Sequence, residues 1–121
     1  MANTFKVATF AAEPASAGTP YVMYTIAGST TGVVLGLILT NIHSSAVTAE
    51  VELVSTTANR SVANNTANGT SFLVKDVTIP AGSSLELLSG GKVVLETGDV
   101  IRVDCSVADK LSGTLSLMEI T

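Results

Sequence analysis

Along most of this chain apolar side chains alternate with polar ones at a two-residue period, and turn-forming residues break the alternation about every ten residues. Over 46–55, Val47, Ala49, Val51 and Leu53 fall on one side, with Thr48, Glu50 and Glu52 on the other. Over 100–107, Ile101, Val103, Cys105 and Val107 oppose Arg102, Asp104 and Ser106. A strand sends successive side chains to opposite faces, so this pattern writes strands with one buried face. No segment sustains the helical period, and β-branched residues dominate. A strand of this kind is stable only in a sheet packed against another layer.

The period and the breaks predict strands over 4–11, 21–26, 33–42, 46–55, 71–79, 84–88, 92–96, 100–107 and 113–120. Pro14, Gly18 and Pro20 mark the first loop, and Pro80 with Gly82 a tight turn. Gly90 and Gly91 close a hairpin. The strand at 33–42 is apolar on both faces. Strict alternation places Val33, Leu35, Leu37 and Leu39 on one face and Val34, Ile38 and Ile42 on the other. Such a strand belongs at the centre of a sheet or under cover on both sides. The expected fold is an all-β, antiparallel β-sandwich of about nine strands, jelly-roll or immunoglobulin-like, in one domain over 1–121 with an extended N-terminal arm at 1–11. The most irregular segment, 56–70, holds Asn59, Asn64, Asn65, Asn68 and Gly69 and reads as an exposed contact loop.

Charged residues make up 13% of the 121 residues against 46% hydrophobic, and the mean hydropathy is +0.50. Soluble domains carry about 25% charged residues. The longest clean apolar stretch, 33–39, is far short of the roughly 20 residues of a membrane-spanning helix. The reading is therefore a soluble subunit that buries extra surface against copies of itself or a scaffold, with no membrane partner. Six basic residues are scattered rather than striped, and net charge is −4, so nucleic acid is not an expected partner. The N-terminus shows no basic region followed by an apolar core, so no signal peptide is expected and synthesis is cytoplasmic.

Catalytic chemistry is poorly supplied. His43 is the single histidine and sits in a turn, where a histidine is usually a polar turn residue. Cys105 is the single cysteine and lies in phase with a buried face, which reads as a small core hydrophobe. No metal-ligand spacing is present, and no cofactor or metal is expected. Glu50, Glu52, Asp76, Glu86, Glu96, Asp99, Asp104 and Asp109 are dispersed, so no carboxylate pair for a hydrolase stands out. Arg102 and Asp104 read first as ordinary surface charges and second as members of cross-strand ion pairs. The residues best placed for protein contact are Thr4, Phe5, Lys6 and Val7 on the N-terminal arm and Asn59, Arg60, Asn64, Asn65 and Asn68 in the loop.

Five stretches together carry a family likeness: the opening 1–5 (MANTF), 31–37 (TGVVLGL) leading into Thr40 and Asn41, 73–85 (LVKDVTIPAGSSL), 92–103 (KVVLETGDVIRV) and the ending 117–121 (LMEIT). The chain resembles small virion structural proteins of tailed bacteriophages, especially those of marine and cyanobacterial phages. The likeness covers most of the chain and brings no catalytic motif. It implies a repeated, non-enzymatic part of the virion, made in the host cytoplasm. The first expectation is a capsid decoration (cement) protein, a homo-oligomer such as a trimer bound to the major capsid protein. The alternatives are a tail, neck or fibre-associated subunit in contact with tail proteins, and a host-surface carbohydrate-binding module.

Overall fold

A computed structural model describes residues 2–55, 69–88 and 90–121. Their strands are β1 (Asn3–Glu13), β2 (Tyr21–Thr25), β3 (Thr31–Asn41), β4 (Val47–Val54), β5 (Thr70–Ile79), β6 (Ser84–Leu87), β7 (Val93–Leu95), β8 (Val100–Cys105) and β9 (Leu111–Ile120). No helix occurs among the described residues, hence none long and apolar enough to cross a membrane.

The strands form two antiparallel sheets. One runs β1-β9-β3-β6, with β7 also paired to β3; the other runs β2-β8-β4-β5. The pairing β4·β5, β3·β6 and β3·β7, β2·β8, β1·β9 is that of one long hairpin, its arms β1–β4 and β5–β9. Rolling the hairpin adds β3·β9 and β4·β8 and lays the sheets face to face. This is the jelly-roll member of the two expected sandwiches. The core is the space between the sheets, filled by residues such as Leu37, Leu39, Ala49, Val51, Leu95, Val103, Leu111, Leu115 and Leu117.

Local sequence explains most inward faces. On β8, Ile101, Val103 and Cys105 are buried while Arg102 and Asp104 lie outside; on β4, Val47, Ala49 and Val51 are buried. On β3 the strict alternation fails. A register shift between Val34 and Gly36 inserts a bulge, and the buried side changes phase from Val34 to Leu37 and Leu39. Leu35 therefore faces outward, opposite to its expected grouping with Leu37 and Leu39, because a bulge puts two residues against one partner.

The N-terminal segment is not a free arm. From Asn3 it is a sheet strand, in register with β9 from Asn3↔Ile120 to Phe10↔Gly113. Phe10 anchors it in the core. Its ring stands edge-on to Tyr21 of the other sheet, centroids 5.1 Å apart, and occupies the space above Gly113, where a Cβ would lie 2.2 Å from the ring. Asn41 closes the end of β3. Its Nδ2 donates to the carbonyls of Ser45 and Ile79, both at 2.9 Å, and its Oδ1 accepts from the His43 N–H at 2.7 Å. The side chain is fully buried with both ends satisfied.

Candidate functional site

The outer faces of the two sheets differ in chemistry, and the difference follows from register. On the four-stranded sheet the outward residues of β8 and β4 pair as Arg102↔Glu52 and Asp104↔Glu50. Arg102 grips Glu52 through Nε, at 2.9 Å, and Nη2. This is the cross-strand ion pair that ranked second in the sequence. Lys75 of β5 binds Glu50 at 2.9 Å and lies 4.6 Å from the centre of the Phe72 ring. Glu50, Asp76 and Asp104 border a 190 Å³ hollow with Gly18 and Thr48. These carboxylates are already engaged. Asp104 accepts from the N–H groups of Gly18 and Cys105, and Asp76 lies 4.0 Å from the Lys75 ammonium. Among the described residues no group of three His, Cys, Asp or Glu side chains could hold a metal ion.

The five-stranded sheet carries apolar side chains on its outer face as well as its inner one. Register carries one row across four strands: Phe5 faces Met118, Met118 faces Val33, and Val33 faces Val94. The next row runs from Val7 through Ser116 to the bulge at Leu35 and Gly36, and Ile38 follows beside Thr114. Phe5, Val7 and Val94 are 74%, 65% and 61% exposed. A shallow hollow of 340 Å³ is lined by Phe5, Lys6, Val7, Leu35, Ser116 and Leu117. The remaining outward positions of β1 and β9 are Ser, Thr, Asn and Ile; Glu86 of β6, beside Ile38, is charged. With strands about 4.8 Å apart and about 3.4 Å per residue, the face measures about 650 Å². A stable interface uses about 800 Å² per partner.

One cluster fastens this sheet to the other at the β1 side. Glu119 of β9 is buried and takes Lys6 of β1 at 2.7 Å on Oε1 and the Tyr24 hydroxyl of β2 at 2.6 Å on Oε2. The hydrogen bonds from Lys6 and then Tyr24 hold the Glu119 carboxyl below its ordinary value. Lys6 is raised by its bond to Glu119, and Tyr24 is raised by burial first and then by that carboxylate. The cluster thus neutralises the cation of β1 and leaves its outward side without charge.

Of the sequence-predicted contact residues, the structure brings together Thr4, Phe5, Lys6 and Val7. Phe5 and Val7 point outward, whereas Lys6 is turned to Glu119. Asn59, Arg60, Asn64, Asn65 and Asn68 lie outside the described residues; the ends of their segment meet where the Ser55 N–H donates to Gly69 O at 2.9 Å. Val33, Leu35, Val94 and Met118 were not singled out as contact residues. Their signal was the two-faced apolarity of 33–42, but only cross-strand register assembles them into one surface. No protein-family model matches the chain, and no curated protein matches it in sequence.

Proposed function

We propose that the chain is a non-enzymatic structural subunit of a bacteriophage virion, a capsid decoration protein that docks by the outer face of its five-stranded sheet. The observation that carries this reading is the row Phe5, Met118, Val33 and Val94, an apolar stripe across four strands on a face with little charge. An exposed apolar surface of this extent marks an interaction site. Jelly rolls serve viral capsids and lectins alike, so the fold alone does not choose between them. The face favours the capsid: a sugar site calls for several aromatic platforms and convergent polar groups, whereas this surface offers one ring, Phe5, among aliphatic side chains, Ser and Thr. The stretches that resemble phage virion proteins support the same reading. The bound state is held by apolar burial, multiplied over many copies on the particle.

Copy number tests it. Quantitative mass spectrometry of purified particles is expected to find the chain in numbers on the order of hundreds per head, as symmetric decoration requires. About a dozen copies or fewer places it in the tail or neck, and its absence from particles overturns the reading.

A further inference from the structure

We infer that the free edge of β1 is a pairing site for β1 of a second copy, joining two five-stranded sheets across a two-fold axis. The pairing rests on the assembly reading above but uses a different surface from the docking face.

The sandwich has four sheet edges, and three carry features that discourage pairing. β6 and β7 are only four and three residues long. β2 has five residues, follows Pro20 and shifts register between Val22 and Tyr24. β5 bears Lys75 and Asp76, the latter at φ 51°, and its pairing with β4 shifts register twice. Short strands, bulges and charges are the usual means of blocking an edge. Over its first eight residues β1 is neither short nor bulged, and it carries a single charge. It is eleven residues long, and its register holds from Asn3 to Phe10. Its one cation there, Lys6, is bound to Glu119.

The backbone phase shows what that edge offers. Ala2 and Thr121 exchange both backbone hydrogen bonds, at 3.1 and 2.9 Å. In an antiparallel ladder such pairs alternate, so Thr4, Lys6, Ala8 and Phe10 turn their N–H and C=O groups to β9, and Asn3, Phe5, Val7 and Thr9 turn theirs away. Among the described residues no strand lies on that open side. The edge is complementary to itself, because antiparallel pairing about a two-fold axis sets odd residues against odd residues. An axis through Lys6 sets two ammonium groups side by side, which disfavours it. An axis through Val7 pairs Val7 with its own copy, Phe5 with Thr9 and Lys6 with Ala8, all within the straight part of the strand. Three hydrogen-bonded pairs then form, with Phe5 and Val7 of both copies clustered on the outer face. A two-fold joint of this kind is isologous and yields a dimer rather than the trimer expected from the sequence.

Light scattering at micromolar concentration, with circular dichroism to confirm folding, tests the joint on four forms. Wild type is expected at the mass of a dimer. Val7→Pro removes an N–H that β9 does not use, so it leaves the sandwich folded and weakens the dimer roughly 100-fold. Val7→Lys, which leaves the backbone intact, also gives a monomer by placing two charges on the axis. Val94→Lys, on the docking face but far from the β1 edge, stays dimeric. A wild-type monomer overturns the pairing while leaving docking to particles intact, since the face needs no dimer. A dimer that survives both Val7 substitutions, or one that Val94→Lys dissolves, also overturns it.

Discussion

Phe10→Ala removes the ring that ties β1 to the core, and its cost follows from the packing around it. The side chain is buried, stands edge-on to Tyr21 at 5.1 Å and fills the space that Gly113 leaves open. Truncating a buried Phe costs about 3–5 kcal/mol, against about 5–15 kcal/mol for the stability of a typical domain. For a chain of this length that lowers Tm by about 12–20 °C. Deleting residues 2–11 takes the ring and also strips β9 of one of its two partners, leaving only β3, so the remainder is expected to lose its cooperative transition. The sequence alone, reading 1–11 as an arm, implied the opposite. Gly113→Ala makes the test specific. In the wild type the new Cβ meets the ring at 2.2 Å, an overlap that costs about 1–3 kcal/mol. In the Phe10→Ala background the vacated space accepts the methyl group, and most of that cost disappears. Thermal melts of the four proteins, followed by circular dichroism, form the cycle. A Tm drop below about 4 °C for Phe10→Ala, or equal Gly113→Ala costs in both backgrounds, would refute the reasoning.

Asn41→Leu leaves the Ser45 and Ile79 carbonyls and the His43 N–H without their side-chain partner, and denaturant unfolding is expected to show a loss of about 3 kcal/mol. Glu119→Gln lowers Tm at neutral pH by weakening the hold on Lys6. Because the folded carboxyl is held below its ordinary value, its contribution is complete only well above the ordinary glutamate value of about 4.3 and fades as pH falls from there through the lowered value, so the two proteins' melting temperatures converge in acid. Cys105, buried on β8, is expected to resist thiol reagents in the folded protein and to react once it is denatured; rapid labelling of the native chain would contradict its place in the core.

What the sequence reveals is what depends on one strand at a time. β8 and the first five residues of β4 alternate cleanly, so Ala49, Val51, Ile101 and Val103 could be assigned inward directly. On β3 both faces are apolar, and the bulge at Leu35 and Gly36 is marked only by the glycine, which does not say where the phase changes. β1 has the same ambiguity, since Phe5 and Val7 compete with Ala8 and Phe10 for the core side; Gly113, more than a hundred residues away, decides it by making room for the ring. The buried charges were equally invisible. Glu52 and Glu119 are tolerable only because Arg102, Lys6 and Tyr24 arrive from other strands. The contact face belongs to the same class, because its rows exist only after four strands come into register.

The docking face is tested most directly by co-sedimentation of the purified chain with phage particles assembled without it, comparing wild type with the double variant Leu35→Lys, Val94→Lys. Both positions are exposed, so the variant is expected to keep its fold. Wild type should pellet with the particles to saturation while the folded variant stays in the supernatant; a variant that pellets as fully as wild type would contradict docking through this face.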